Sequence, residues 1–557
     1  MEIIEIKTEY IKLDSALKYC GIAENGAHAK EMILEGLITV NGEKELRRGR
    51  KLYKGDVFKI DNEEFEIGFN NAKYLELQRE KIMERVHEFG GKLYIEFGGK
   101  LFDDYHAARV LPGFEPDAKV KMLTSMNDDV EIVIVISAVD IAHNKLRQDI
   151  GITYEQDVLR GYDELTRKGL YVGSVVFSQF DESNVAAINF QRKLEANGIK
   201  VYRTYNIDGY PTKVSHIVSP EGFGKNDYIK TTRNVVVVTA PGPGSGKMAT
   251  CLSQIYHDAQ HGIKSGYAKY ETFPVWNLPL THPVNIAYES ATADLDDINM
   301  IDPWHLNAYG EYAVNYNRDV DVFPVLNAIF TRVLGTSPYK SPTDMGVNMV
   351  GYCISDNEIC CEAAKQEVIR RYMNARVECR KGNCSDALVE KLKLMMTKLD
   401  LKAKNRPVIE KARAHGEGKD GPVACIELQD GTYIFGKTSP LMSCGSAVIL
   451  NALKYLANLP DVPLIAGSAL EPIQKLKCDS FGERSAELHI EEALIALSSS
   501  TFINPMASLA LEQIAKLRGC QLHTTAIPPQ ADTKIYRRLG ITATSDPIYA
   551  TNQVYFD

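Results

Sequence analysis

The chain has 557 residues, of which 45% are hydrophobic and 25% are charged, and its formal net charge is −9. This length exceeds one ordinary hydrophobic core, so we expect two to four domains. The acidic balance argues against a protein whose whole surface coats nucleic acid, although it leaves room for a local basic patch. The N-terminus, MEIIEIKTEY, lacks the apolar core of a secretory signal, and no segment has the roughly 18 apolar residues of a membrane span. We therefore expect a cytoplasmic protein.

The cysteines do not point to a metal site. There are 11 of them, scattered along the chain. Cys360 and Cys361 are adjacent, and Cys379 and Cys384 have no matching second pair, so neither arrangement has the spacing of zinc ligands. We expect reduced thiols in a cytosolic protein.

Residues 1–66 form a predicted small α+β domain. YIKLDSALKYCGIA and AHAKEMILEG are typical of helices, Gly36 is placed to end the second helix, and Asn41-Gly42 predicts a hairpin turn. ELRRGRKLYKGDVFKI then supplies a basic loop and a strand. The module resembles the S-four type RNA-binding domain of pseudouridine synthases, through the following residues: Lys12-Leu13-Asp14, Ala29-Lys30, Ile33–Gly36, Val40–Gly42, Arg47–Lys51 and Gly55-Asp56.

The resemblance implies binding of structured RNA. A basic surface facing phosphates would then be formed by Lys12, Lys30, Arg47, Arg48, Arg50 and Lys51. The alternative is a solvated basic turn on a protein-interaction module, because acidic residues offset the cluster.

From residue 67 onward, buried strand patterns alternate with long helix patterns. Strands are predicted at KLYIEFGG, EIVIVISAVD, LYVGSVVFSQF, VYRTY, VSHIVS and NVVVVTA. This alternation predicts an α/β fold with a parallel, Rossmann-like or P-loop-like sheet over residues 67–335. A helical connecting segment over 336–404 and a second α/β lobe over 405–557, with a hairpin at Asp430-Gly431, complete the predicted domains.

The leading candidate site is the glycine-rich loop in NVVVVTAPGPGSGKMATCLSQ, which follows a strand and precedes a helix. Its amides and the helix dipole suit a phosphate or another anion. The predicted cofactor-binding residues are Gly242, Gly244, Ser245, Gly246, Lys247 and Thr250. The loop departs from the P-loop pattern GxxxxGK[ST], because Pro241 replaces the first glycine and Met248 replaces the hydroxyl residue that holds Mg²⁺. The alternatives are a substrate carboxylate at this loop and a purely structural turn.

Three further polar segments extend this hypothesis. In GGKLFDDYHAAR, Asp103 and His106 are candidate catalytic residues beside Lys247, although an N-cap and ion-pair cluster is the simpler interpretation. Asp294 and Asp297 are candidate Mg²⁺ ligands or solvated helix caps. Two polar strings, VNYNRDVD and SPTDMGVN, contain the candidate substrate-binding residues Asn317, Arg318, Thr343, Asp344 and Asn348. Cys444, before a helix, and His523, at a strand end, are interpreted as buried structural residues.

The large region resembles a bacterial family known only as domain of unknown function 1846, or uncharacterised protein family 0371. The resemblance covers about 67–557 and depends on several long strings: KLYIEFGGKLFDDYHAARVLPGFEPDAK, TAPGPGSGKMATCLSQ, PVWNLPLTHPVNIAYESATADL, VNYNRDVDVFPVLNAI and SPTDMGVNMVG. It implies no activity. A peptidase label used for some members finds no support here, since the chain contains neither HExxH nor GxSxG.

The sequence thus favours an enzyme that binds ATP, another nucleotide with Mg²⁺, or a phosphorylated small molecule, and that performs a phosphoryl or ligase-type transfer. The rival hypothesis is a non-catalytic RNA-associated scaffold or nucleotide sensor. A homo-oligomer is expected from helical faces such as VIRRYMNARVECR.

Overall fold

The computed structural model describes residues 2–3, 11–19, 23, 26–34, 36–41, 43–45, 47, 49–52, 56–60, 63–66, 69–147 and 150–551. The chain divides into two units, Met1–Ala364 and Lys365–Asp557. Gly42, Arg48 and Gly55, named in the sequence analysis, lie outside the described residues.

The N-terminal module of the first unit has two helices packed on small sheets, as the sequence predicts. Leu13, Leu17, Ile33 and Phe58 form its core, together with Ile359 from a later helix. The strands join in the order β1-β7-β6-β3-β4, with a separate β2–β5 pair. The elements are β1 (Glu2–Ile3), β2 (Ile11–Lys12), α1 (Leu13–Tyr19), α2 (Gly26–Leu34), β3 (Ile38–Val40), β4 (Glu43–Lys44), β5 (Lys51–Leu52), β6 (Val57–Ile60) and β7 (Glu63–Glu66).

The rest of the first unit alternates helices and strands around one main sheet. Its elements are α3 (Asn71–Glu88), β8 (Leu93–Phe97), α4 (Tyr105–Val110), α5 (Ala118–Ser125), β9 (Val130–Ser137), α6 (Ala138–Ala142), β10 (Leu146–Arg147), β11 (Ile152–Thr153), α7 (Tyr154–Arg167), β12 (Tyr171–Ser178), α8 (Val185–Ala196), β13 (Val201–Arg203), α9 (Val214–Ile217), β14 (Val235–Thr239), α10 (Lys247–Gln260), β15 (Gly266–Tyr270), α11 (Pro283–Ala291), β16 (Asn299–Ile301), α12 (Pro303–Tyr309), β17 (Val314–Tyr316), α13 (Asn317–Leu334) and α14 (Asn357–Arg380).

The main sheet has six strands in the order β13-β12-β9-β14-β8-β15, and every neighbouring pair is parallel. The four valines of β14 are buried because this strand lies inside the sheet, between β9 and β8. The α/β fold class is therefore confirmed. The strand predicted at VSHIVS is wrong: Val214–Ile217 is a short helix whose apolar residues pack on the core, since the strand β13 already forms that edge of the sheet.

Helices α10 and α13 cover one face of this sheet. Cys251 and Ile255 from α10 and Phe323 from α13 join Tyr94 and Val238 in a single hydrophobic core. Both helices run from the carboxyl edge of the sheet, so their N-termini lie on that edge, where open α/β sheets bind ligands.

The second unit has a four-stranded sheet in the order β19-β18-β20-β21, with only β20 and β21 parallel to each other. The predicted hairpin is confirmed, and Gly431 has the positive φ of its turn. The elements are α15 (Asp386–Lys398), α16 (Pro407–Gly416), β18 (Val423–Glu427), β19 (Tyr433–Lys437), α17 (Cys444–Leu456), α18 (Gly467–Lys475), α19 (Ile490–Ser500), α20 (Pro505–Leu511), β20 (Gln521–Thr524), α21 (Gln530–Arg538) and β21 (Thr542–Ser545).

Candidate functional site

The glycine loop leaves the carboxyl end of β14 in the middle of the parallel sheet. Gly244 and Gly246 have φ values of 75° and 87°, a left-handed conformation that glycine adopts without steric cost. Ser245 is fully buried, and its Oγ donates a hydrogen bond to the carbonyl of Gly242 at 2.9 Å. The hydroxyl of Ser178, at the end of β12, donates to the carbonyl of Ser245 at 2.7 Å. The loop is thus folded back on itself and fixed to a neighbouring strand.

The amides at the start of helix α10 have no acceptor among the described residues. Helix α10 begins at Lys247 without a side-chain cap. Its first backbone hydrogen bond runs from the amide of Thr250 to the carbonyl of Gly246 at 3.0 Å. In the described part of the chain, the amides of residues 246–249 donate to no backbone or side-chain acceptor. These donors, with the positive end of the helix dipole, form a site suited to an anion.

Lys247 and Glu96 lie near this loop. Both influence the thiol of Cys251, in the second turn of α10. Burial raises the pKa of that thiol, Glu96 raises it further, and Lys247 opposes the shift. Glu96 is the penultimate residue of β8, directly beside Val238 of β14. Glu96 is therefore next to the strand from which the glycine loop leaves.

The residues around the loop do not fit the Mg²⁺ arrangement of a P-loop. Met248 stands where a hydroxyl would bind the ion. The alternative residue, Thr250, is fully buried, and its hydroxyl donates to the carbonyl of Gly246 at 3.0 Å. Asp294 is exposed, whereas Asp297 is buried and its Oδ2 lies 3.4 Å from the guanidinium of Arg318. No group of three or more His, Cys, Asp or Glu suited to a metal ion occurs in the described part of the chain.

Asp103 and His106 have well-defined packing and ionic partners. Asp103 forms an ion pair with Arg160 at 3.0 Å. His106 packs against the rings of Phe273 and Tyr288, with centroids 5.5 and 5.8 Å away. Their neighbour Asp104 caps α4 and pairs with Lys119 at 2.9 Å. Burial opposes the ionisation of Asp104, but the Lys119 ammonium more than offsets this and lowers its pKa.

Four of the five candidate substrate-binding residues hold neighbouring loops in place. Asn317 accepts a hydrogen bond from the amide of Ile298, and Thr343 donates its hydroxyl to Asp302. Asp344 accepts from the amides of Lys340 and Ser341, and Asn348 donates to the carbonyls of Thr272 and Pro274. Only Arg318 retains a largely exposed side chain, 54% accessible.

An open cleft of about 510 Å³ lies beside Arg318. It is lined by Pro211, Thr212, Leu295, Asp296, Asp297, Asn317, Arg318, Asp321, Val322 and Val325. Val322 and Val325 pack against the same core as Met248 of the glycine-loop helix. The cleft is therefore lined by the N-terminal half of α13, where Asp319 pairs with Lys269 near the carboxyl end of β15.

Sequence reasoning missed three of the four charged side chains that cluster at this edge: Glu96, Lys269 and Glu271. The fourth, Asp319, lies in the polar string VNYNRDVD. The Nζ of Lys269 donates to Asp319 and lies 3.3 Å from Oε1 of Glu271, while the hydroxyl of Tyr267 donates to Glu96 at 2.6 Å. A signal was present, because a glutamate in LYIEF and a lysine in GYAKY interrupt otherwise buried strands. Charged residues are rarely buried without a partner, so such interruptions indicate an internal ion pair or a site.

The N-terminal module brings together part of the predicted basic surface. Lys12 of β2 and Lys51 of β5 are directly opposite each other. Arg50 directly precedes Lys51 in the chain, and its carbonyl accepts a hydrogen bond from the amide of Leu13. Arg47 pairs with Glu45 at 2.8 Å, and Arg50 lies 3.8 Å from the same carboxylate. Lys30 is exposed on α2.

The fold defines an α/β protein whose main parallel sheet is preceded in the chain by a small module of helices and short strands. The sequence matches the domain of unknown function DUF1846, N-terminal, over residues 67–400 and its C-terminal counterpart over 404–555. Residues 4–68 match the S4 domain. The chain belongs to the DUF1846 family, also called UPF0371, and carries an S4 domain in front of it.

Relatives in other bacteria have the same large region. A UPF0371 protein of Streptococcus uberis is 51% identical over 490 residues, covering 88% of this chain and 99% of the relative. A UPF0371 protein of Corynebacterium urealyticum is 52% identical over 490 residues, with the same coverage. One of Streptococcus pneumoniae is 52% identical over 488 residues, covering 87% and 99%. In the described part of the chain, no helix is long and apolar enough to cross a membrane.

Proposed function

We propose that this protein binds a phosphorylated small molecule, such as a nucleotide, at the glycine loop 240–250, and that its S4 domain docks on structured RNA. One observation carries the ligand site. The amides of residues 246–249, at the N-terminus of α10 and on the carboxyl edge of a parallel sheet, have no acceptor among the described residues. Lys247 supplies the matching charge. Such an arrangement stabilises a phosphate more than any neutral ligand.

The charged cluster beside the loop favours an enzyme over a passive binder. Active sites often combine ion pairs, an open cleft and a carboxyl with a shifted pKa. Here that carboxyl is Glu271, whose pKa is raised by burial. The activity that we propose is a phosphoryl or ligase-type transfer, in which Arg318 contacts the part of the ligand that lies in the cleft. Mg²⁺ enters this proposal only as an ion carried by the nucleotide, because Thr250 is engaged with Gly246.

A nucleotide sensor on an RNA-associated scaffold is the second candidate. The S4 match and the facing pair of Lys12 and Lys51 favour it, since the RNA-binding module needs no catalysis in the large region. Binding of nucleotide without turnover would support the sensor. Under both candidate functions, we place the protein in the cytoplasm as a homo-oligomer. Light scattering of the purified chain tests the oligomeric state.

Calorimetric titration with ATP, ribose 5-phosphate and inorganic phosphate, each with and without Mg²⁺, tests the loop. A hydrogen bond to a charged group contributes about 1.5–3 kcal/mol, so Lys247→Ala should weaken binding about 10- to 100-fold. Lys230→Ala, at an exposed lysine away from the loop, is the matched control and should bind like the wild type. Equal affinities for Lys247→Ala and the wild type would exclude the loop as the phosphate site.

A further inference from the structure

The charged cluster at the carboxyl edge has one ammonium among several carboxylates. Glu96 and Lys269 are register partners in the adjacent strands β8 and β15. Glu271 comes just after β15, and Asp319 lies in the first turn of α13. Lys269 contacts both of the latter carboxylates. The cluster thus connects the strand beside the glycine loop with the helix that lines the cleft.

Glu271 is surrounded by charge from each element packed around it. It contacts Lys269 near the end of β15, and Glu96 on β8 and Arg318 and Asp319 on α13 are close enough to influence its ionisation. The hydroxyls of Tyr288 on α11 and Tyr316 on β17 are also near it. The two cations are shared among at least four carboxylates, because Arg318 also pairs with Asp297 at 3.4 Å. Negative charge is therefore in excess around Glu271.

This excess determines which group holds a proton. Burial alone would lower the pKa of Lys269, but Asp319, Glu271 and Glu96 raise it above its ordinary value, so the ammonium stays charged. Burial raises the pKa of Glu271 to about 7, and the nearby Lys269 only partly opposes this shift. Glu271 is thus divided between its acid and carboxylate forms near neutral pH.

Glu271 is also the accessible member of the buried set. Its side chain is 19% exposed, whereas those of Lys269 and Asp319 are 9% and 6% exposed. A side chain at position 98 would overlap with Cγ of Glu271, so Gly98 leaves the space that this carboxyl occupies. Arg318, which interacts with the same carboxyl, lines the cleft.

We propose that Glu271 is a proton-exchanging group of the ligand site. When a phosphorylated ligand binds at this edge of the sheet, the Glu271 carboxylate takes one proton from solvent, one carboxyl O–H bond forms, and that O–H donates a hydrogen bond to an oxygen of the ligand. The proposal rests on the phosphate site at the glycine loop, because the negative charge that enters there drives the protonation. Lys269 and Asp319 are positioning residues: the Nζ of Lys269 lies 3.3 Å from Oε1 of Glu271 and is paired with Asp319, which follows the cleft-lining Arg318 on α13.

Calorimetry in two buffers of different ionisation enthalpy tests the proposal on the full chain. At about pH 7.5, we expect the wild type to take up about half a proton or more per bound ATP or ribose 5-phosphate. Glu271→Gln should still bind both probes but take up almost no proton. Glu311→Gln, at an exposed position, is the control and should behave as the wild type. Equal uptake by Glu271→Gln and the wild type rejects the proposal alone, whereas no binding of any probe rejects the phosphate site and the proposal together.

The ligand-free protein gives a second measurement. The pKa of Glu271 in the folded chain, about 7, lies above its ordinary value of 4.5. The stabilisation that this carboxyl provides is therefore complete below its ordinary pKa and is lost as the pH rises through about 7. The unfolding free energy of the wild type should fall relative to that of Glu271→Gln over this interval. Profiles that run parallel would show that Glu271 does not titrate there and would overturn the proposal.

Discussion

At the residue scale, the buried ammonium of Lys269 stabilises the carboxyl edge of the sheet. It compensates Asp319 and Glu271, and its side chain is only 9% exposed. Removing one partner of a buried ion pair leaves an uncompensated charge, which typically costs about 3–5 kcal/mol. We therefore expect Lys269→Met to lower the unfolding free energy by about this amount in urea denaturation.

Two comparisons distinguish this effect from a simple change of volume. Lys264→Met, at an exposed lysine shortly before the same strand, should leave the urea midpoint unchanged. Adding Asp319→Asn to Lys269→Met should recover part of the loss, because the uncompensated charge is then removed. If the double variant were no more stable than Lys269→Met, the ion pair would not be the origin of the effect.

At the element scale, α7 begins with a reciprocal cap that the sequence specifies. The Oγ1 of Thr153 accepts from the amide of Gln156 at 3.3 Å, and the Gln156 side chain accepts from the amide of Thr153 at 3.0 Å. Thr153→Ala should destabilise the protein by about 1 kcal/mol, whereas Thr153→Ser retains the acceptor and should stay close to the wild type. Thermal unfolding measures both, and equal losses for the two variants would contradict a capping role.

Helices and strands with a strong local sequence pattern could be predicted. The tertiary contacts of their side chains could not. The valine run, the glycines and the following helix define β14, its loop and α10 through local backbone preferences. In VSHIVS the apolar residues Val214, Ile217 and Val218 have the i, i+3, i+4 spacing of a helix, and all three pack on the core. The strand prediction for this short segment therefore misread its periodicity.

The candidate site also combines features that are local in the sequence with features that depend on tertiary contacts. The conformation of the glycine loop was predictable because glycine conformation and helix polarity are local properties, whereas its ligand stays a prediction. Thr343, Asp344 and Asn348 form hydrogen bonds that hold loops, since buried backbone groups need partners, and their role in substrate binding stays a prediction. The cluster of Glu96, Lys269 and Asp319 forms only when residues more than 200 positions apart in the chain meet.

At the scale of the whole molecule, a net charge of −9 confines RNA binding to a local surface. Lys12 and Lys51 are directly opposite each other on β2 and β5, so this strand pair brings together two positive charges of the kind that contact RNA phosphates. We expect Lys12→Ala and Lys51→Ala each to weaken binding of structured RNA and to reduce the slope of log affinity against log salt by about 1.

A titration of gel shifts against salt concentration measures that slope. Lys193→Ala, at an exposed lysine on α8, serves as the control and should leave both affinity and slope unaltered. An unchanged slope in Lys12→Ala and Lys51→Ala would show that these two lysines do not contact RNA phosphates.

The position of β14 in the sheet has a consequence for synthesis of the chain on the ribosome. β8, β9, β12 and β13 all emerge before it, yet β8 and β9 have no direct pairing and wait for Val235–Thr239 to join them. Until β14 is synthesised, the edges of β8 and β9 that will pair with it remain unpaired, and unpaired strand edges are prone to aggregation. Assembly of this region therefore depends on contacts between residues well over 100 positions apart, and such long-range pairing slows folding.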